Sequence, residues 1–426
     1  MNPAIALVLL AVAGVLAMRL PRVSIPVPPV PTLPLIQRLL RAGVIPLLLL
    51  GLLLGPGIDF LDRATLTTLS PLIAFAVGWV AAGFGARWEW RMVRRIGWER
   101  AARLLAGAAA AFVSVGLGGW AATRLVPGLG AAWTPAMPTV LTLAALAAMS
   151  GPEALRRLAR ITAIPGATAR TLGLAALLDV GAGILAFSLV LATSHARHTF
   201  AGIVGGVLLW LAQAAGAGVL TALVYLALTR LLAPRVDTAL ALLAALLVGS
   251  GIGWGTDSSP FIVCGLGAAL IVNIPGQPER RQVQKALAAW EPALLALVAV
   301  AAGALLARPT LGLLGAVAVL AVVRIVAKWG GMRGALASDP RAELPLNAGL
   351  ALVVQGGVVL TLGVNAILMQ DGTAAGGSGG PFLTAVVLGL VLAQVAAVPL
   401  LRLALAPPRL TAGRPLPDFS ADSPVT

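Results

Sequence analysis

Cysteine is almost missing from this chain: the single Cys264 permits no intramolecular disulfide and no thiolate metal cluster. Histidine is equally scarce, with only His195 and His198, and there is one tyrosine. Charged residues make up 11% of the 426 positions, whereas soluble domains carry about 25%. So little polar surface excludes a water-soluble globule. Zinc-ligand, P-loop, nucleophile-elbow and haem-attachment spacings are also lacking, so neither a resident cofactor nor enzyme chemistry is expected. What the chain does have is apolar sequence, 59% of its residues, with a mean hydropathy of +0.98.

A helix that crosses a bilayer needs about 20 mainly apolar residues. Read with their breakers, the apolar runs predict about thirteen spans. These fall at 3–18, 36–56, 65–85, 102–123, 136–160, 167–193, 200–229, 238–254, 260–273, 288–306, 310–329, 345–369 and 381–401. The seventh is long for one crossing and the ninth is short. The fold class expected is an all-α polytopic membrane protein, with the lipid bilayer as its surroundings.

The net charge of +15 comes from loops rather than from a nucleic-acid face, and no nucleic-acid partner is expected. With the N-terminus outside, Arg63, Arg124, Arg197 and Arg308 fall in outer loops and Arg324 falls within a helix. Every other lysine and arginine falls on the inner side. A missed or invented helix would invert every later loop and destroy this asymmetry. The expectation is a multi-pass inner (cell) membrane protein, N-terminus out and C-terminus cytoplasmic. Asn2 to Met18 has no basic residues before its apolar run and reads as a retained span rather than a cleaved signal. Six prolines between Pro21 and Pro34 make a stiff inner connector. The polar tail from Pro407 to Thr426 reads as disordered and too short for a nucleotide-binding regulatory domain.

Against this apolar background a few residues require a reason. Asp179 lies near the middle of the sixth span, where a carboxylate costs at least about 2.5–3.5 kcal/mol on insertion scales. Arg324, inside the run Leu313 to Lys328, is the expected charge partner. Lys328, one turn later on the same face, suits a snorkelling role at the interface or a share in gating. Two spans carry breakers at depth: Ser150-Gly151-Pro152 in the fifth and Gln355-Gly356-Gly357 in the twelfth. Irregular backbone in a membrane is tolerated where it lines protein or a cavity, and paired interrupted helices point to a transported ion's site. Other features read more plainly. His195 and His198 sit in an outer loop, and Trp88, Trp90 and Trp98 suit an interfacial belt. Glu291 begins the tenth span, and Asp257-Ser258-Ser259 reads as a helix N-cap. Glu153 is a weaker candidate for an ion path.

Several segments occur in a telling order: Gly51-Leu52-Leu53-Leu54-Gly55-Pro56, Ser70 to Gly83 with Phe75 and Gly78, Ser150-Gly151-Pro152, Leu178-Asp179, Arg324, and Gly349 to Gly357. From about Gly43 to Leu401 the chain therefore resembles the cation–proton antiporter superfamily, which contains the sodium–proton exchangers. The resemblance implies a homodimer, two inverted repeats, broken fifth and twelfth helices that cross, and an elevator-like core. It assigns 1–34 to a first span and connector, 35–100 and 196–306 to dimer and panel helices, 101–195 and 307–406 to the two core halves, and 407–426 to the tail. It also implies that Asp179 binds either a monovalent cation (sodium or potassium) or a proton, with Ser150, Gly151 and Pro152 beside it and Arg324 stabilising the ion-free carboxylate. The chain departs from the family pattern at Leu178, where an Asp or Asn is usual, and at Gly151, where an Asp or Ser is usual. A cation would then rest on Asp179, Ser150, backbone carbonyls and water. A non-transporting sensor or scaffold, or a carrier of altered specificity, stands as the alternative.

Overall fold

The computed structural model describes residues 44–91, 94, 97–125, 137–161, 164–194, 200–231, 237–274, 280–338, 344–370 and 379–405, together with Val12. The expected first span, the proline-rich connector, His195, His198 and the tail lie outside these residues. Among the described residues the regular structure is entirely helical. The helices are α1 (Ile45–Leu52), α2 (Arg63–Thr68), α3 (Ser70–Gly85), α4 (Trp98–Leu125), α5 (Met137–Ala148), α6 (Pro152–Ile161) and α7 (Gly166–Ser194). They continue with α8 (Phe200–Leu231), α9 (Thr238–Gly255), α10 (Pro260–Asn273), α11 (Arg280–Ala304), α12 (Leu311–Ala337), α13 (Gly357–Gln370) and α14 (Gly379–Leu405). A π-helical turn, Leu53–Gly57, ends α1 at Pro56, and a 3₁₀ stretch, Ala348–Val353, precedes α13.

Seven of these helices are long and apolar enough to cross a bilayer, and four shorter apolar helices accompany them. The chain is a multi-pass membrane protein. The long seventh run is one unbroken helix of 32 residues, α8. Two boundaries move from their expected places. Helix α11 starts at Arg280, so Glu291 and Pro292 lie well inside it rather than at its start. Helix α12 runs on to Ala337, so Lys328 is interior to the helix and not near its end.

Small residues set how the helices meet. A Cβ on Gly51 would fall 2.1 Å from the Val300 carbonyl oxygen, and one on Gly303 would fall 2.2 Å from the Leu48 oxygen. Helices α1 and α11 are thus in backbone contact, which only residues without a side chain allow. Helices α4 and α12 meet similarly at Gly107 and Gly331. The helices fall into two groups by contact. Helices α1, α3, α8, α9, α10 and α11 pack mainly on one another, and α4 to α7 pack with α12, the 3₁₀ stretch and α14. Helix α13 lies between the groups, against α3 and α11 on one side and α14 and α5 on the other. With α13 included, each triplet of the second group reads helix, interrupted helix, helix: α4, α5/α6, α7 and then α12, 3₁₀/α13, α14.

Candidate functional site at the crossing of two broken helices

The chain between α5 and α6 leaves the helix at Met149 to Gly151, and the chain between the 3₁₀ stretch and α13 leaves it at Val354 to Gly356. These two gaps touch. The Gly151 N–H donates to the Val354 carbonyl at 2.6 Å, and a Cβ on Gly151 would lie 2.5 Å from the Gly356 nitrogen. Glycine is required here because the two backbones occupy the space a side chain would fill.

Interrupting a helix orphans the carbonyls of its last turn, and orphans in hydrocarbon cost several kcal/mol each. Several at the crossing are met by donors from elsewhere in the chain. Arg324 on α12 donates through Nε to the Ala147 carbonyl and through Nη2 to the Met149 carbonyl at 3.0 Å. The Gln355 side-chain amide donates to the Leu146 carbonyl at 3.1 Å. Gln394 on α14 in turn donates to the Gln355 backbone carbonyl at 2.6 Å. The guanidinium therefore faces the negative end of the α5 dipole, where a cation is favoured.

Asp179, on α7, is 5% exposed, and both its carboxylate oxygens pair with the Lys328 ammonium, itself 3% exposed. Ser150 Oγ contacts Asp179 Oδ2 and also lies 2.6 Å from the Leu352 carbonyl oxygen. A hydroxyl has one proton to give. Ser150 can therefore donate to the carboxylate or to the carbonyl, not to both at once.

Asp179, Ser150, Gly151, Lys328 and Gln355–Gly356 are thus brought together. Pro152 starts α6 at a position where its missing N–H costs nothing, and Gly357 starts α13 against Leu295. The roles of the two basic residues differ from expectation. Arg324 does not meet the carboxylate; it caps α5. Lys328, expected at the interface, is buried and supplies the counter-charge. The cause is the length of α12, which continues from Trp329 to Ala337 beyond Lys328 and so carries it inward from the helix end.

A second polar cluster lies at the arginine-rich end of the bundle. Arg87, just after α3, forms an ion pair with Glu153 on α6 and another with Glu291 on α11 at 3.1 Å. Glu89 is held by Arg280 at 2.9 Å and by Gln284 at 3.2 Å. A cavity of about 830 Å³ between α3, α6, α7 and α11 is lined by Arg87, Glu89, Gln284 and Glu291 of this cluster and also by Leu177, two residues before Asp179 along α7. Trp88 belongs here rather than to a purely interfacial belt: its ring occupies the space beside Gly181, while Trp90 and Trp98 are exposed. At the opposite end, Ser259, in the left-handed region at φ 64°, N-caps α10 and exchanges hydrogen bonds of 3.0 and 3.2 Å with the buried amide of Asn365 on α13. Gln394, Asn365 and Arg87 went unnoticed in the sequence. The first two are lone amides in otherwise apolar runs, a signal of the same kind that singled out Asp179.

The whole bundle superposes on the sodium proton antiporter MjNhaP1 from Methanocaldococcus jannaschii, solved at pH 8, with a TM-score of 0.67 and 14% identity over 96% of this chain and all of that one. An electron-microscopy map of the same antiporter gives a TM-score of 0.60 and 14% identity over 98% of this chain and all of that one. At this identity the likeness establishes the fold. No family model and no curated protein matches the sequence.

Proposed function

We propose that this protein exchanges a monovalent cation, sodium or potassium, for protons by competition at Asp179. The observation that carries the proposal is the Asp179–Lys328 pair, buried where two interrupted helices cross and joined by Ser150. A carboxylate in this position has three ways to be neutral: an ammonium, a proton or a metal cation. In the present arrangement Lys328 fills that role. Either a cation or a proton arriving from the cavity displaces the ammonium from Asp179. Because the carboxylate holds one or the other, never both, each release of one accompanies uptake of the other and the two flows are coupled.

The ligand set is sparse. Leu178 and Gly151 offer no oxygen from their side chains, and the carbonyls of Leu146, Ala147, Met149, Leu352 and Val354 are already engaged by Gln355, Arg324, Ser150 and Gly151. The cation is therefore bound mainly by Asp179, Ser150 and the water it brings along. Weak selectivity between sodium and potassium follows, because discrimination between them needs a dehydrated ion in a ring of fixed oxygens.

The packing of α4–α7 with α12, the 3₁₀ stretch and α14 supports an elevator-type movement in which these, with α13, shift against α1, α3 and α8–α11. The pairing of two copies as a homodimer belongs to the same proposal and rests on the antiporter resemblance alone. Proteoliposomes containing a pH dye test the activity. Added sodium or potassium is expected to drive proton movement across the membrane in either direction of the gradient. Folded protein that gives no response to sodium, potassium or lithium overturns the reading in favour of a sensor or scaffold that keeps the fold.

A further inference from the structure

The mouth of the cavity is basic, which is unfavourable for a path that delivers cations. Its two lining carboxylates are both committed: Glu291 to Arg87, and Glu89 to Arg280. Three further arginines, Arg156 and Arg160 on α6 and Arg170 at the start of α7, line the same cavity. Arg156 and Arg160 are four residues apart and share a helix face, an arrangement in which like charges repel. Among the described residues none of the three lies within ion-pair distance of a carboxylate, although Glu153 and Glu291 are near enough to act on Arg156 electrostatically. Their hydrogen bonds among the described residues run through Nε alone: Arg156 donates to the Pro152 carbonyl at 3.4 Å, and Arg170 to the Gly166 carbonyl at 3.2 Å. Their terminal guanidinium nitrogens remain free to bind a ligand.

We propose that Arg156, Arg160 and Arg170 form an anion site that takes a phosphate group, and that the bound anion neutralises the mouth of the cation path. Guanidinium forks match the several oxygens of a phosphate better than they match a monatomic anion. The cavity is much larger than one phosphate, and Leu174, Leu177 and Leu287 give it an apolar wall. A phospholipid head group with part of its chains, or free phosphate, meets this chemistry. The site stands on the arginines alone; its effect on transport rests on the exchange reading above.

The test uses the full-length protein in nanodiscs of phosphatidylcholine, with and without phosphatidylglycerol, and with inorganic phosphate as the second probe. The variants are Arg160→Gln combined with Arg170→Gln, and, as control, Arg157→Gln, which alters an exposed arginine of α6 outside the cavity lining. All three side chains are exposed at the surface or cavity, so the fold is expected to persist, checked by an unchanged melting temperature in phosphatidylcholine alone. Saturable retention of phosphatidylglycerol, weakened about tenfold or more in the double variant but not in the control, identifies a lipid head group. Binding of inorganic phosphate in phosphatidylcholine discs, lost in the same variant, identifies the free anion. Binding by neither probe, or equal loss in the double variant and the control, overturns the proposal. Binding is read without transport, so a protein that takes phosphate yet moves no cation would sink the exchange reading and leave this site intact.

Discussion

Lys328 and Asp179 illustrate how much a single buried pair constrains. Removing one partner of such a pair leaves an uncompensated charge and costs about 3–5 kcal/mol, whereas replacing both by apolar side chains is often neutral or stabilising. Lys328→Ala is therefore expected to lower the melting temperature sharply, while Asp179→Leu with Lys328→Met should melt near or above wild type and carry no exchange. Thermal unfolding in detergent checks both; a double variant less stable than Lys328→Ala would show that the pair is not what holds this site. Ser150→Ala removes an oxygen beside the carboxylate and is expected to raise the cation KM several-fold with a smaller change in kcat. Asp179 was legible from sequence because a lone acid within Leu174 to Gly183 has no structural reason to be there. The identity of its partner was not. Arg324 and Lys328 lie on one face, and which of them reaches Asp179 depends on where α12 ends and where the α5 carbonyls fall, neither of which a hydropathy pattern records.

At the scale of elements, the crossing of the interrupted helices depends on donors supplied from two other helices, Arg324 on α12 and Gln394 on α14. Arg324→Ala orphans the Ala147 and Met149 carbonyls, at about 1–3 kcal/mol for each unsatisfied group. The expected result is a destabilised protein whose exchange is impaired although Asp179 and Lys328 are intact. Gly151→Ala pushes a methyl group into the Gly356 backbone, and overpacking of this kind costs about 1–3 kcal/mol. Its expected signature is loss of exchange with the helix content by circular dichroism unchanged. Both breaks could be located from Ser150-Gly151-Pro152 and Gln355-Gly356-Gly357. That they touch each other could not, since the contact joins residues about 200 positions apart and leaves no local pattern.

For the whole molecule, Arg87 joins α6 to α11 through Glu153 and Glu291, and so links the two groups of helices. If the groups slide past one another during exchange, the Arg87–Glu153 contact breaks in every cycle. A half-exposed pair of this kind is worth roughly 0.5–1 kcal/mol, which corresponds to about two- to fivefold in rate. Glu153→Gln should accordingly raise the turnover number by that factor with little change in melting temperature. A slower variant would indicate that Glu153 serves the ion path itself. The central claim, that cation and proton compete for one carboxylate, is tested most directly without a membrane gradient. Sodium or potassium is added to the purified protein in weakly buffered detergent solution near neutral pH, and the protons released are measured for wild type and for Asp179→Asn. The account predicts saturable, cation-dependent proton release from wild type and none from the variant; equal release from both would contradict it.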